Sequence, residues 1–236
     1  MIAAAHHSMM EKAKPSGVPF VECLNNTTCL CHTDTLSHNS DYSFSAWLNL
    51  NSSQPSLSEG RTLCFVGKRT STALNGVEFG LTYRNSQYQA MGAFVQGSGV
   101  SPKYWSYQQY LGSWHNVVVT YTSNSCKTYI DGVLKNTNGG ARHAITDARF
   151  SVACLNWSGS IISGGPMGKY ANVAFWNKIL STSEVSDVAS SIMYKPTDAP
   201  HRYDMNIQNG KIADVGTVGG WDFTTIQDFD NGIYIL

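Results

Sequence analysis

The run Lys103-Tyr104-Trp105-Ser106-Tyr107-Gln108-Gln109-Tyr110 carries the side chains best suited to holding a ligand. Aromatic faces stack on a sugar ring, and interleaved amides bond its hydroxyls. Read as a strand, the run puts Trp105, Tyr107 and Gln109 on one face. Tyr104, Ser106, Gln108 and Tyr110 take the other. Tyr104, Trp105, Tyr107 and Gln109 are therefore the candidate glycan platform. Trp157 joins it if Asn156-Trp157-Ser158-Gly159 forms an exposed loop. A half-buried sheet surface would have the same composition.

Residues for bond-breaking chemistry are sparse. There is no Gly-x-Ser-x-Gly elbow. The run SWHNVVVTYTSNSCKTYIDG, residues 113–132, shows no evident nucleophile–base pair, and His115 reads as a structural or half-exposed strand residue. The glutamates are Glu11, Glu22, Glu59, Glu78 and Glu184, and the last is explained by helix capping. Of the cysteines, Cys29 and Cys31 share one strand face and are too close to bridge easily. The even count invites a disulfide, but a chain of this size has no need of one, so Cys23, Cys29, Cys31, Cys64, Cys126 and Cys154 are expected as free, core-filling thiols, with at least one disulfide as the alternative. His32 would face away from Cys29 and Cys31, which argues against zinc.

The elements that must position these residues are strands. Tyr42 to Leu50 alternates, with Tyr42, Phe44, Ala46, Leu48 and Leu50 on one face. Thr62–Gly67, Gly76–Tyr83, Tyr88–Gln96, Lys103–Tyr110, Trp114–Tyr121, Cys126–Ile130, Val133–Lys135 and Phe150–Leu155 follow. Turn signals separate them at sandwich spacing. Asp131-Gly132 supplies the left-handed backbone of a tight hairpin, so Asp131 reads as a turn residue. Ser181-Thr182-Ser183-Glu184 is a capping box that opens a short helix near 182–193, ending before Pro196. Ile233–Leu236 reads as a terminal strand.

Charged residues are 14% of the chain and the formal net charge is zero. That balance argues against nucleic acid, which needs a basic stripe, and against an electrostatic membrane anchor. No stretch approaches the roughly 20 apolar residues of a membrane helix. The start MIAAAHHSMMEKAKPSG has no basic segment followed by an apolar run, so no secretory signal is expected.

Trp114-His115, the following Val-Val-Val-Thr-Tyr, and Lys127-Thr-Tyr-Ile-Asp-Gly-Val-Leu134 together resemble the laminin-G-like module. So does Asn172-Val-Ala-Phe-Trp-Asn-Lys-Ile-Leu-Ser181 before a Glu-bearing helix start, and Phe44-Ser-Ala-Trp47 is similar to the family's early core strand. These modules belong to the concanavalin A-like lectin/glucanase fold. The resemblance implies an all-β jelly-roll sandwich of two antiparallel sheets, with Phe44, Trp47, Trp114, Tyr129 and Trp176 in its core. It covers residues 21–194, between an N-terminal arm (1–20) and a C-terminal extension (195–236). It also implies a possible calcium site at the sandwich rim, for which Asp41, Asp131 and Asp147 are weak candidates; no other cofactor is expected. The family's glucanases use a Glu-x-Asp-x-x-Glu strand, and no two glutamates here have that spacing.

The expectation is a non-enzymatic recognition or assembly module, a structural, decoration or attachment protein on a phage-like virion surface. It would contact neighbouring subunits through the arm and the terminal strand, and also glycans. The alternative is a free-standing lectin-like protein, extracellular or on a cell surface. A glycoside hydrolase ranks third.

Overall fold

The structure is a computed structural model of the 236-residue chain. It describes residues 19–23, 29–32, 36–38, 41–54, 62–69, 76–85, 87–95, 103–122, 124–139, 145–157, 160–164, 166–205, 207–208, 211–219, 223–227 and 233–235. In chain order the strands begin with β1 (Val21–Cys23), β2 (Cys29–His32), β3 (Leu36–His38), β4 (Tyr42–Leu50), β5 (Thr62–Arg69), β6 (Gly76–Arg84) and β7 (Gln87–Val95). Then come β8 (Tyr104–Ser106), β9 (His115–Tyr121), β10 (Ser125–Ile130), β11 (Val133–Gly139), β12 (Ile145–Val152), β13 (Cys154–Trp157), β14 (Ser160–Gly164) and β15 (Gly168–Trp176). The helix α1 (Thr182–Ser190) precedes β16 (His201–Tyr203), β17 (Ile207–Gln208), β18 (Lys211–Ile212), β19 (Phe223–Gln227) and β20 (Ile233–Ile235).

These strands form two antiparallel sheets. One runs β11-β10-β9-β4-β15-β1-β20, with β16 also on β15. The other runs β17-β18-β19-β2-β12-β5-β6-β7-β8, with β3 also on β12, and β13 and β14 make a separate hairpin. The residues after 195 thus supply strands to both sheets. The terminal strand lies along the chain's own β1, Val21 opposite Ile235. The arm lies outside the described residues except for Pro19 and Phe20.

The alternation of β4 sets the core. Tyr42, Phe44, Ala46, Leu48 and Leu50 are buried with Val117, Val119, Tyr121 and Phe175 of the same sheet and with Val152 and Ile212 of the other. Tyr42 packs against Tyr121 at 4.9 Å and against Phe175 at 5.5 Å between ring centroids. Each such side chain contributes about 1.5–3 kcal/mol of burial. The opposite face of the first sheet is covered too. Val118, Tyr129, Ala174 and Trp176 pack with Leu180, Val185, Val188 and Ala199 on that side. Ser43 ties the layer down, its Oγ donating to Lys178 O (2.8 Å) and accepting from Leu180 N (3.0 Å).

The capping box forms as expected. Glu184 N donates to Ser181 Oγ at 3.3 Å, and Ser181 N to Glu184 Oε2 at 2.7 Å. The helix stops at Ser190, short of the expected 193. Asn172 Nδ2 on β15 binds the carbonyls of Ile192 (3.1 Å) and Tyr194 (2.5 Å), which draws the chain off the helical path. No helix among the described residues is long and apolar enough to cross a membrane.

Two expected strands are corrected. Phe150–Leu155 divides between β12 and β13 at Ala153, whose φ of 58° breaks the extended run. Lys103–Tyr110 is a strand only over β8, and Gln108–Tyr110 is a turn of 3-10 helix. Tyr107 and Tyr110 both enter the core. A strand would send them to opposite faces, whereas a 3-10 turn aligns residues three apart.

Phe44, Trp47, Tyr129 and Trp176 are buried as expected. Trp114 is a correction: it precedes β9, is half-buried, and meets Phe20 edge-to-face at 6.0 Å. Cys23 and Cys126 are free and buried, and burial pushes both thiols well above the ordinary range. The side chains of Cys29, Cys31, Cys64 and Cys154 lie outside the described residues.

Candidate functional site

The aromatic segment and the β9–β11 meander meet at one end of the first sheet. Trp105 is half-buried against the core, and its indole N–H donates to Tyr110 Oη at 2.7 Å. Gln109 Nε2 donates to the same oxygen at 2.9 Å and to Ser106 O at 3.2 Å. Trp105 and Gln109 are therefore held by one phenol, and Gln109 stays exposed. Burial pushes the Tyr110 phenol up, the Trp105 hydrogen bond lowers it, and the charge of Asp131 raises it again. The net rise keeps it neutral at ordinary pH. Tyr104 is half-buried and Tyr107 buried, so Tyr107 supports this surface from below. Trp157 ends β13, opposite Ser160, in a strand and not a loop, and its ring lies outside the described residues.

Tyr110 leads to a second group. Its ring meets the His115 imidazole edge-to-face at 5.3 Å. His115 Nδ1 is 2.7 Å from Asp131 Oδ2, and His115 Nε2 is 2.9 Å from Ser113 Oγ. Asp131 Oδ1 accepts from Asn116 N at 2.9 Å. A carboxylate can only accept from Nδ1–H, so Nε2 is left to accept from the serine hydroxyl.

Local structure produces this line. Gly112, with φ 71°, donates its own N–H to Leu50 O and turns the chain so that Ser113 leads from the loop into β9. Ser113 and His115 are two apart and share a face, while Trp114 between them turns to Phe20. The register Val117 opposite Ile130 then brings Asp131 beside Asn116. Asp131 (φ 51°) and Gly132 (φ 76°) both adopt the left-handed conformation that Asp-Gly supports. Alternation and composition alone mark no nucleophile–base pair in this stretch. The hairpin register was the signal that could have found it.

Two of the calcium candidates, Asp41 and Asp131, do not come together. Asp131 has one oxygen on His115 and the other on Asn116. Asp41 precedes Tyr42, which lies opposite Tyr121, at the far end of β9. Six strand residues separate the two positions by roughly 20 Å. Asp147 is on β12 in the other sheet, with its side chain outside the described residues. Among the described residues no three His, Cys, Asp or Glu gather as a ligand set. Asp41 and Asp131 as placed do not form a shared calcium site.

Among the described residues, two carboxylates converge on one lysine. Lys178 Nζ lies 2.5 Å from Glu184 Oε1 and 2.7 Å from Asp198 Oδ2, and Trp176 Nε1 donates to Asp198 Oδ1 at 3.2 Å. The hydrogen bond from Lys178, with those of Ser181, lowers the Glu184 carboxyl to about 2. Lys178 likewise lowers Asp198, against burial, with help from Trp176. A general acid needs a raised pKa. Both carboxyls are lowered, so the group is a clamp between α1 and the end of β15.

A solved structure shares the architecture, and others are more distantly similar. A heptameric SAP-like pentraxin from Limulus polyphemus superposes with a TM-score of 0.62 at 16% identity, covering 94% of this chain and 96% of that one. Domain 4 of AbnA, a GH43 extracellular arabinanase from Geobacillus stearothermophilus, gives 0.48 at 16% identity, over 75% and 84% of the two chains. Trypanosoma rangeli sialidase gives 0.46 at 17% identity, over 77% of this chain and 34% of its own. No curated protein matches the chain. A laminin G-type family model, described as the concanavalin A-like lectin/glucanases superfamily, matches residues 25–186. With its paired antiparallel sheets and the Trp-His and Asp-Gly hairpin in place, the chain belongs to this superfamily as a laminin G-like member.

Proposed function

We propose that the protein is a carbohydrate-recognition module without glycosidase activity. The observation that carries this reading is the Trp105 surface. A half-exposed indole sits beside the exposed side chains of Ser106, Gln108 and Gln109, with Trp105 and Gln109 fixed on Tyr110. A stacking face with amides already oriented is what a sugar ring requires, and fixing them in advance lowers the entropy lost on binding. Tyr104 borders the surface and Tyr107 supports it, and Trp157, whose ring lies outside the described residues, is proposed as a further member. The superfamily agrees with this class of ligand, although the fold by itself assigns none. Retaining glycosidases need an acid and a nucleophile about 5 Å apart. The Glu184–Asp198 pair is held ionised by Lys178 and offers no acid.

A glycan array probed with wild type, Trp105→Ala, Gln109→Ala and Trp157→Ala tests the reading. Losing the Trp105 ring or the Gln109 amide should weaken binding roughly tenfold. Gln109 is exposed, so its variant separates ligand contact from folding. Wild-type binding by both the Trp105 and Gln109 variants would remove the site.

The second reading is assembly with neighbouring subunits, on a virion surface or elsewhere. It is favoured by β20, among the described residues a short strand at the end of its sheet, whose outer edge can accept another strand. Deleting residues 232–236 should then lower the oligomer mass in light scattering. An unchanged mass would count against it.

A further inference from the structure

We propose that Ser113 is an activated nucleophile toward carboxylic esters, with His115 as its base and Asp131 as the residue that positions the base. This goes beyond carbohydrate recognition, and its test uses no sugar.

The geometry has the three parts that activate a serine. The hydroxyl lies 2.9 Å from an imidazole nitrogen, within proton-transfer reach. The other ring nitrogen lies 2.7 Å from a carboxylate. That carboxylate is itself oriented by the Asn116 N–H. Such a constellation is recognised by geometry and roles, whatever the order in the chain. Ser113 is exposed, so an ester can reach it. The backbone N–H of Ser113 has no acceptor among the described residues, which leaves it available to an oxyanion.

A second His–Asp pair shows that such pairing need not serve chemistry. His201 and Asp214 meet at 2.6 Å with the same backbone brace, but both are buried. The exposed pair is open to solvent, with the Ser113 hydroxyl on Nε2. That access separates a reactive group from a strut.

The reaction balances within these residues. Ser113 Oγ bonds to the ester carbonyl carbon as its proton passes to His115 Nε2. The carbon–oxygen bond to the alkoxy group breaks, and the imidazolium returns the proton to the leaving alcohol. Water repeats the sequence with the same base, releasing a carboxylic acid and restoring the serine. Asp131 is half exposed, so solvent screens its pull on the imidazole. The rate gain expected is accordingly at the low end for a general base, about 100-fold over an isolated serine.

The test is labelling by a fluorophosphonate, which bonds Ser113 Oγ to phosphorus and expels fluoride, followed by intact-mass and peptide mapping. One adduct at Ser113 is expected, absent in Ser113→Ala, with matching hydrolysis of p-nitrophenyl acetate. Asp131→Asn keeps an oxygen for the Asn116 N–H but presents an amide N–H₂ to Nδ1. The imidazole must then carry its proton on Nε2 and can no longer accept from Ser113. Labelling should fall about 100-fold with the unfolding midpoint nearly unchanged, and the histidine ¹⁵N shifts should report the changed tautomer. The proposal is overturned if wild type reacts no faster than Ser113→Ala. It is equally overturned if the label maps elsewhere, or if Asp131→Asn reacts at the wild-type rate.

Discussion

The two His–Asp pairs are built alike and placed differently. In each, Nδ1 of the histidine meets Oδ2 of the aspartate, at 2.7 Å for His115–Asp131 and 2.6 Å for His201–Asp214. In each, the other carboxylate oxygen accepts the backbone N–H of the residue after the histidine, Asn116 at 2.9 Å and Arg202 at 3.0 Å. Burial is what separates them. The side chains of the first pair are 21% and 48% exposed, and those of the second are 2% and 0% exposed. The second also gains Gly216 N as a donor to Asp214 and the Phe175 ring beside His201. In a dry site the assembly is a strut that joins the 213–219 segment to β16. In a wet one it is a proton acceptor within reach of a serine. The chemistry of a motif is set by what surrounds it.

Breaking the buried pair should have the largest effect. Asp214→Ala removes the buried acceptor of the His201, Arg202 and Gly216 hydrogen bonds and should cost about 3–5 kcal/mol. Asp131→Asn, which keeps a residue that tolerates the left-handed backbone at φ 51°, loses a half-exposed ion pair and should cost about 1 kcal/mol or less. Urea denaturation of the two variants measures both. Equal losses would mean that burial does not distinguish the pairs.

Acid should separate them next. Burial pushes the Asp214 carboxyl up, but its hydrogen bonds to His201, Gly216 and Arg202 more than offset this, and it lies below its ordinary value. A carboxyl lowered on folding contributes stability that is complete above its unfolded value of about 3.9. That stability is lost as pH falls through the lowered folded value. Wild type should therefore lose stability as pH drops below about 4, and Asp214→Asn, already weakened, should show a flatter acid limb. Glu184, lowered to about 2 chiefly by Lys178, adds to the same limb from below about 4.3. Its share is smaller because solvent screens it, so Glu184→Gln should flatten the curve less. An Asp214→Asn protein with an unchanged acid limb would contradict the assignment.

The sequence disclosed these regions unevenly. The inner face of β4 and the hairpin at Asp131-Gly132 follow from period-two alternation and turn chemistry, both local properties. The capping box was equally local. That Val117, Val118 and Val119 are all buried means that both faces of β9 are covered. The consecutive valines carried that sign, but not what covers the second face, because α1 and Leu180 arrive from sixty residues away. The Tyr107 and Tyr110 rings mislead a strand reading, since their spacing of three fits the core only through a 3-10 turn. His201 and Asp214 stand thirteen residues apart in a polar segment, and nothing local marks them as partners. His115 and Asp131 were open to counting along the hairpin register, and Ser113 follows from alternation once the strand is fixed.

Salt provides the finest comparison. At about 1 M salt the screening length falls to roughly 3 Å, which reaches a pair in contact with solvent but not one sealed inside. A double-mutant cycle cancels the general effect of salt on stability and leaves only the coupling between two partners. The His115–Asp131 coupling, expected at about 0.2–1 kcal/mol, should shrink by a few tenths between low and high salt. The His201–Asp214 coupling should stay constant over the same range, because no mobile ion can approach Asp214. A matching decline in both would mean that water reaches the buried pair. The strut would then be as open to solvent as the serine site, and exposure could no longer explain why only one pair is reactive.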